Sequence, residues 1–453
     1  MSATRAPIDK RGGSRNAVPL KEVMLQRTSS VSSVPRDAVV LSACCAARCA
    51  VFMFEHVASI VVSISVAILT ALPWWISPAL VAGRLRNTAS LDDVDDTPPL
   101  IDDAPRVSVI LPARNEAAHI ASCVRSVLTS TWPNLELIVV DDHSIDNTAE
   151  LARDAAAGDM RFTLVRAPDL APGWFGKQWA CQAGQAQATG ELLLFIDADT
   201  RHAPDLITRT VRLRAARGVE LMSVAGRQLM ETIWERAVQP SVFTLILTRY
   251  GSGAAMERAT TASDVIANGQ CFMLSRSAYD AIGGHFSVRD FVAEDVMIAQ
   301  AIWTQGLRVS LALGVQQLRV RMYDGLGALV QGWGKNVYAG GRFAMRGGAF
   351  GRAIFPLVLL TFPLGMLLPF AVLLASVVAL IFGTPWALRG IIWSCVASVG
   401  VLTSFAIANR LNRESAWRAV LAPLGGLVLL WICVAAVARG RNVRWKGRAY
   451  VAR

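Results

Sequence analysis

Two pairs of acidic residues, about a hundred positions apart, are the residues of this chain best suited to chemistry. Asp197 and Asp199 directly follow the apolar run 192–196. Glu294 and Asp295 open a helix-like stretch later in the chain. Carboxylates at the end of a buried strand are suitable ligands for a hard divalent cation, which predicts that Asp199 binds metal and that Asp197 supports it.

The second acidic pair complements the first. A cation at Asp199 can bridge and neutralise a diphosphate leaving group. A separate carboxylate, for which Asp295 beside Glu294 is the candidate, can act as general base on an acceptor hydroxyl. The combination predicts transfer of a sugar from a nucleotide sugar. The alternative for Glu294 and Asp295 is a helix N-terminus that favours negative charge.

Two strand ends provide candidates for binding the nucleoside. The turn at Pro112, Ala113, Arg114 and Glu116 can place its backbone against a flat base, or it can be a plain strand-to-helix connection. Asp141 and Asp142 leave the next apolar strand, where a carboxylate can accept a hydrogen bond from a base N–H or a ribose hydroxyl. Asp197 is expected to contribute to the same nucleotide-sugar site.

Lys177 follows Gly176 in an aromatic stretch, residues 172–180, and begins a helix-like segment. A lysine there can bind a diphosphate together with the helix N-terminus. The alternative is a packed turn with a solvated lysine.

Three further residues are candidates for the acceptor side. Gly269 opens a strand-like segment, and Gln331 and Trp333 lie in a motif close to the membrane edge. Packing for Gly269 and interfacial anchoring for Trp333 are equally good interpretations.

Short aliphatic runs alternate with helical patterns from about residue 106 to residue 346. Strands are predicted at 107–111, 135–140, 161–165 and 191–196, and helices at 116–130, 147–157, 177–189 and 204–217. This alternation indicates βαβ units, a mostly parallel sheet and an α/β fold. Ligands of such sheets bind beyond the carboxyl ends of the strands, where the acidic motifs lie.

Composition indicates a membrane protein. The chain has 453 residues, of which 53% are hydrophobic and 17% charged, and its net charge is +11. The positive charge is expected to flank membrane segments and not to bind nucleic acid, since no nucleic-acid module accompanies it. Eight cysteines without a C-x-x-C pair argue against zinc and fit a reducing compartment.

The pattern divides the chain into six segments. These are a disordered basic tail (1–50), a transmembrane helix (51–83), an acidic linker (84–104), a catalytic domain (105–346), C-terminal membrane helices (353–438) and a basic tail (439–453). Arg84 and Arg86 predict that the catalytic domain is cytoplasmic, in a bacterial-type inner (plasma) membrane that the chain crosses several times. The same rule favours an even number of later crossings, with the first apolar run, 353–382, not fully spanning.

As a set, Pro112–Glu116, Asp141-Asp142, Gly176-Lys177, Asp197-x-Asp199 and Glu294-Asp295 resemble the motifs of family 2 glycosyltransferases over about residues 105–340. The resemblance implies a GT-A fold, which is Rossmann-like, inverting transfer and a divalent metal, Mg²⁺ or Mn²⁺. It also implies that Asp141 or Asp142 contacts the base, Lys177 the diphosphate and Asp199 the metal, with Asp295 as general base.

The stretches at 173–180 and 332–336, with the ending 444–450, resemble a membrane subgroup that includes carotenoid (diaponeurosporenoate) and hopene-associated glycosyltransferases. A lipid acceptor of carotenoid, hopanoid or polyprenyl type, glycosylated on a hydroxyl or carboxyl, is therefore expected. A polysaccharide synthase is an alternative, but the Q-x-x-R-W motif of processive enzymes is incomplete around Gln331 and Trp333. A non-catalytic nucleotide-binding membrane scaffold is the other alternative.

Overall fold

A computed structural model describes residues 36–345 and 348–451 of the chain. The chain divides into two compact units, Met1–Ala67 and Ile68–Arg453. The first unit is helical over its described part. The second contains every strand described below.

The described residues contain thirteen strands. They are β1 (Ala89–Ser90), β2 (Val107–Ala113), β3 (Leu135–Asp141), β4 (Phe162–Arg166), β5 (Leu192–Ile196), β6 (Thr200–His202), β7 (Leu221–Ala225), β8 (Arg227–Gln228), β9 (Cys271–Ser275), β10 (Val309–Leu313), β11 (Leu318–Val320), β12 (Asn442–Trp445) and β13 (Arg448–Val451). The four strands predicted from the sequence correspond to β2, β3, β4 and β5, with ends displaced by two residues or fewer.

Thirteen α-helices alternate with these strands or follow them in the described segments. They are α1 (Arg36–Arg86), α2 (Ile120–Leu128), α3 (Thr148–Ala156), α4 (Gly176–Gln187), α5 (Leu206–Arg217), α6 (Ile233–Tyr250), α7 (Gly253–Glu257), α8 (Arg276–Ala281), α9 (Glu294–Thr304), α10 (Leu326–Ala344), α11 (Gly348–Ile381), α12 (Ala387–Leu411) and α13 (Ala422–Arg439).

The main sheet has eight strands in the order β1-β10-β7-β9-β5-β2-β3-β4. Only β9 runs antiparallel to its neighbours, β5 and β7, and the other pairs are parallel. The predicted α/β fold with a mostly parallel sheet is therefore confirmed. Three further strands form a second sheet in the order β6-β11-β8.

Helices cover both faces of the main sheet, which explains why its strands are nearly continuous apolar runs. Val109 of β2 packs in one cluster with residues of α2 and α5. Its neighbour Ile110 points to the opposite face and packs with residues of α4 and α9. Both side chains are fully buried. Alternate residues of one strand thus build two separate cores and fix its register.

The register brings the predicted motifs to one edge of the sheet. Ala113 at the end of β2 pairs with Asp141 at the end of β3, and the N–H of Asp142 donates to the Ala113 carbonyl at 2.8 Å. Strand β5, which pairs with β2 in parallel, ends at Ile196, directly before Asp197. Three neighbouring strands therefore deliver their polar residues to the same edge.

The N-terminal predictions need two corrections. Residues 1–35 of the predicted tail (1–50) lie outside the described residues, and residues 36–50 belong to helix α1. The predicted linker, 84–104, is not simply extended, because it contains β1 at the sheet edge and two short 3-10 turns. Asp95 and Asp96 within it pair with Arg212 and Arg209 of α5. These two ion pairs thus hold the segment against helix α5.

Four helical segments are long and apolar enough to cross a membrane within the part of the chain that the structure describes. They are Ile64–Arg86, Gly348–Ile381, Ala387–Leu411 and Ala416–Arg439. The predicted transmembrane helix, 51–83, lies within α1. Helix α11 is continuous for 34 residues despite three internal prolines. At ~1.5 Å per residue it exceeds the ~30 Å core of a bilayer, so its length gives no reason to exclude it as a span.

The predicted basic tail, 439–453, is structured where it is described. Strands β12 and β13 pair antiparallel, joined by the two residues Lys446 and Gly447. Both have positive φ, 44° and 82°, as a tight two-residue hairpin turn requires. Composition alone suggested a tail, but these ten residues, Asn442 to Val451, form a hairpin. They are called the C-terminal hairpin below.

Candidate active site

Lys177 joins the two acidic motifs that are distant in sequence. Its Nζ lies 2.7 Å from Asp197 Oδ1 and 2.7 Å from Glu294 Oε1. Asp197 is delivered by the end of β5, and Glu294 is the first residue of α9. The structure therefore brings together the metal motif, the predicted diphosphate ligand and the second acidic pair.

The electrostatics of this cluster keep Lys177 and Glu294 charged. Burial lowers the pKa of Lys177, but the negative charges of Asp197 and Glu294 outweigh it and raise the pKa well above its ordinary value. Burial raises the pKa of Glu294, and Lys177 overcomes that effect and lowers it. Glu294 is thus a buried carboxylate that Lys177 keeps ionised. The predicted role of Glu294 beside Asp295 stays a prediction, and the structure adds its ion pair with Lys177.

Asp199 has an environment that suits a cation. Its backbone carbonyl accepts from the N–H of Arg321 at 3.1 Å, which fixes the turn after β5. Its carboxylate Oδ1 is buried and has no hydrogen-bond partner among the described residues. Burial, then Asp197 and then Glu116 raise the pKa of Asp199 well above its ordinary value. A divalent cation would coordinate the unpaired oxygen and reduce the repulsion between the carboxylates.

The protein itself supplies few metal ligands. In the described segments, no group of three or more His, Cys, Asp or Glu side chains is placed to hold a metal ion. Asp199 and Asp197 are the residues that fit one, and the oxygens of a diphosphate would have to complete the coordination. This arrangement is usual for Mg²⁺, which is bound through one or two carboxylates plus substrate phosphates.

Asp295 is held by two backbone donors. Its Oδ2 accepts from the N–H of Gly269 at 2.6 Å, and its Oδ1 accepts from the N–H of Val296 at 2.9 Å. Burial, followed by the nearby charge of Glu294, raises the pKa of Asp295 to about 7. A carboxylate with a pKa near the working pH is well matched to general-base catalysis.

Gly269 contacts this carboxylate closely. A Cβ added at Gly269 would stand 2.8 Å from Asp295 Oδ2. The sequence suggested that Gly269 lines the acceptor side, which stays a prediction; the structure places its backbone N–H against the Asp295 carboxylate. The absence of a side chain at position 269 is thus a condition for the position of Asp295.

The predicted nucleoside residues form a connected group at the ends of β2 and β3. Arg114 donates through Nη1 to the carbonyls of Asp142 and His143, at 2.5 and 3.0 Å. The carboxylate of Asp141 faces the N–H of Ser144 at 3.4 Å. Pro112 and Ala113 are the last residues of β2. These contacts tie the two strand-end turns into one rigid edge.

The C-terminal hairpin covers this edge, which the sequence analysis did not predict. Arg448 donates to both carboxylate oxygens of Asp142, at 2.6 and 3.1 Å. Lys446 pairs with the carboxylate of Glu116 and donates to the carbonyl of Arg114 at 2.7 Å. The sequence contained only a weak signal for a hairpin, namely a glycine at 447 between two short segments, because Lys-Gly is not one of the dipeptides typical of two-residue hairpin turns. No sequence signal indicated that the hairpin would pack against the ends of β2 and β3.

Two acceptor-side candidates on α10 lie in different surroundings. Gln331 is exposed. Trp333 is buried between Tyr323 and Phe243, with ring centroids 6.0 Å from each, so it is a packing residue and not an exposed stacking platform. Lys335 on the same helix was missed as a site residue. Burial lowers its pKa, whereas the charges of Glu294, Asp197 and Asp295 act to raise it, which places Lys335 within their electrostatic range.

Comparison with known proteins agrees with this geometry. Residues 108–283 match the sequence family described as Glycosyl transferase family 2. This part of the chain is therefore similar to family 2 glycosyltransferases, and the mostly parallel main sheet agrees with the GT-A fold that the sequence predicted.

Among relatives, the chain is similar to the 4,4'-diaponeurosporenoate glycosyltransferases of Staphylococcus haemolyticus and Staphylococcus aureus (strain USA300). Each is 28% identical, over 239 and 244 residues respectively, which is 52% of this chain and 61% of the relative. The chain thus spans about three fifths of the length of the relatives it matches.

A solved structure similar to this chain is that of the mannosyltransferase PcManGT from Pyrobaculum calidifontis in complex with GDP-Man and Mn²⁺. The TM-score is 0.52 with 21% identity, covering 83% of this chain and 98% of that one. At this identity the likeness concerns the fold.

Proposed function

We propose that this protein is a membrane-bound inverting glycosyltransferase that moves a sugar from a nucleoside-diphosphate sugar to a lipid acceptor. The observation that carries the proposal is the relation between Lys177 and Asp295. Lys177 links the diphosphate side at Asp197 to Glu294, and Asp295, the next residue, is a carboxylate with a pKa of about 7. One compact cluster thus contains a charged donor side and a separate base.

The residues divide the chemistry between them. Asp295 accepts the proton of the acceptor hydroxyl, whose oxygen forms a bond to the anomeric carbon as the bond to the diphosphate breaks. Attack from the face opposite the leaving group inverts the configuration. Lys177 and the N-terminus of α4 offset the charge of the departing diphosphate. Asp199 and Asp197 would hold a divalent cation, Mg²⁺ or Mn²⁺, which when bound neutralises that same charge.

The membrane helices and the relatives support a lipid as the acceptor class. Four apolar helical segments surround the domain in sequence, so an acceptor can reach it from the lipid phase. The similar proteins named diaponeurosporenoate glycosyltransferases support a carotenoid-type lipid, and hopanoid and polyprenyl lipids share the same apolar character. We infer a bacterial-type plasma membrane with the domain on the cytoplasmic side, where nucleotide sugars are supplied.

The pH dependence distinguishes two acceptor groups. A hydroxyl must lose its proton during attack, so it needs ionised Asp295. A carboxyl is already ionised at neutral pH and does not need the base. A rate that rises with pH through about 7 therefore indicates a hydroxyl, and a rate independent of Asp295 ionisation indicates a carboxyl.

The direct experiment uses purified full-length protein in lipid nanodiscs. UDP- and GDP-sugars are supplied with Mn²⁺ and with carotenoid, hopanoid or polyprenyl lipids, and labelled sugar in the lipid phase is measured. Metal-dependent glycolipid formation by wild type is expected. Release of nucleoside diphosphate without glycolipid for any acceptor, or no turnover at all, would contradict the proposal. Processive polymer would favour the polysaccharide synthase.

A further inference from the structure

The C-terminal hairpin lies against three parts of the donor site, although it is separated from them by more than 260 residues in sequence. Arg448 contacts Asp142 after β3, and Lys446 contacts Glu116 after β2. Tyr450 contacts the beginning of α4, where its hydroxyl accepts from the Gly176 N–H at 3.4 Å. The hairpin therefore spans from the nucleoside side to the predicted diphosphate side.

The hairpin is packed and not merely tethered by ions. The Tyr450 ring stacks on Phe175 with centroids 4.3 Å apart and planes 22° apart. Val443 is buried with Phe175 and Val292 in a small apolar cluster. Val292 lies two residues before Glu294. The hairpin thus contacts both the start of α4 and the loop that leads to the acidic pair.

Gly176 shows how closely the hairpin fits. A Cβ at this position would stand 2.4 Å from Arg448 Nη1 and 2.6 Å from Asp142 Oδ2. A side chain would therefore separate Arg448 from Asp142 or push the hairpin away from α4. The fit depends on a residue that the sequence already placed beside the diphosphate ligand Lys177.

The surplus of carboxylates in the site indicates a role for the cations of the C-terminal hairpin. The site contains the carboxylates of Glu116, Asp142, Asp197, Asp199, Glu294 and Asp295. Lys177 is already engaged by two of them. A diphosphate entering such a site would be repelled unless further cations were present, and Lys446 and Arg448 are two that the structure brings to its nucleoside edge.

Resting on the proposed function, we propose that the C-terminal hairpin is a wall of the donor site and that Lys446 and Arg448 bind the nucleoside diphosphate. Both cations retain unused donors, because a guanidinium has five N–H groups and an ammonium three. Arg448 uses two for Asp142 and a further one for Tyr450, and Lys446 uses two for Glu116 and the Arg114 carbonyl. An ionised carboxylate likewise accepts more than one hydrogen bond per oxygen. Asp142 can therefore bind a base N–H while Arg448 holds it.

The test measures binding of UDP and of GDP, each with Mn²⁺, to full-length protein by calorimetry. Arg448→Gln and Lys446→Gln are each expected to bind the nucleotide about tenfold more weakly than wild type, or worse, since each loses a hydrogen bond between charged groups. Arg448→Lys keeps the charge and should lie between. Arg153→Gln, an equal charge change on an exposed position of α3, is the control and should bind as wild type.

Unfolding temperatures without nucleotide separate binding from stability. Unchanged affinity in Arg448→Gln, with only a lower unfolding temperature, would mean that the hairpin is a structural fastener and would overturn the proposal. Tighter binding would mean that the hairpin competes with the nucleotide and would overturn it equally. If the wild-type protein bound neither UDP nor GDP, the result would contradict both the proposed donor site and this inference. If the wild-type protein bound nucleotide but formed no glycolipid, the result would contradict only the proposed function.

Discussion

The backbone N–H of Gly269 donates a hydrogen bond of 2.6 Å to the Oδ2 of Asp295. This contact links the segment directly before β9, a strand in the centre of the sheet, to the first turn of α9. It aims the proposed base and limits the space beside it, because even a methyl group at position 269 would stand 2.8 Å from the carboxylate oxygen. A glycine that carries no functional group thereby helps to determine the position of the proposed base.

Gly269→Ala should therefore lower turnover by about tenfold to a hundredfold, as part of the ~10²–10⁴-fold that a general base contributes. The added methyl displaces Asp295 while the sheet retains its packing. Gly327→Ala is the matched control, since a Cβ there has no heavy atom within 4 Å. Turnover at saturating donor and acceptor is the measurement. Equal turnover in the two variants would show that the position of Asp295 does not depend on Gly269.

The pH dependence of turnover should follow the ionisation of the Asp295 carboxyl group. Because the base acts in its ionised form, kcat/KM for a hydroxyl acceptor should rise with pH through about 7 and then level off. The charge of Glu294 raises the pKa of Asp295, so Glu294→Gln should move the rising limb to lower pH. Rate profiles of the two proteins between pH 5 and pH 9 provide the comparison. A limb that moves to higher pH in Glu294→Gln would contradict the assignment.

The metal assignment predicts opposite effects on stability with and without metal. Asp199 has a buried oxygen without a hydrogen-bond partner in the described structure, so Asp199→Asn should leave the metal-free protein at least as resistant to heat as wild type. It should also abolish the rise in unfolding temperature that Mn²⁺ with UDP or GDP produces. Differential scanning fluorimetry measures both effects. An undiminished metal-dependent rise would exclude Asp199 as principal ligand.

The C-terminal contacts predict the membrane topology. Asn412, after α12, exchanges hydrogen bonds of 2.8 and 2.7 Å with the backbone of Gln228 in β8. The C-terminal hairpin, after α13, binds Asp142. Both ends of α13 are therefore on the catalytic side, so α11 and α12 should cross and α13 should lie along the domain. The even number of later crossings stays a prediction, and these contacts favour α13, in place of the first apolar run, as the helix that does not span.

Labelling of single cysteines in intact cells with an impermeant maleimide tests this topology, with unmodified protein as background. Pro385→Cys, in the turn between α11 and α12, should be labelled without lysis. Ser415→Cys and Ala449→Cys should be labelled only after lysis. All three positions are exposed in the structure, so lack of labelling reports the side of the membrane and not burial. Labelling of Ala449→Cys from outside would mean three crossings.

The sequence predicted the sheet and its acidic edge because both depend on local signals. An apolar run followed by Asp197, or by Asp141, specifies a buried strand and a polar end without reference to the rest of the chain. The ion pair of Lys177 with Asp197 and Glu294 was not predicted as such, but its three members were. Each lies at an element terminus that pattern and propensity could locate.

The C-terminal hairpin and the acidic segment before β2 could not be placed in the same way. Arg448 meets Asp142 across 306 positions, and no periodicity in either segment encodes that contact. A basic composition at the chain end was therefore interpreted as a tail. Trp333 illustrates the converse, since an aromatic residue at a membrane edge has the same local pattern whether it packs inward against Tyr323 or faces a lipid.

The most direct test of the account compares Asp295→Asn with wild type in two measurements, glycolipid formation at saturating substrates and calorimetric binding of the nucleotide sugar with Mn²⁺. In the proposed mechanism Asp295 acts on the acceptor and not on the donor. Turnover should therefore fall by about 10²–10⁴-fold while donor affinity stays close to that of wild type. Loss of donor binding together with normal turnover at saturation would show that Asp295 belongs to the donor site and is not the base.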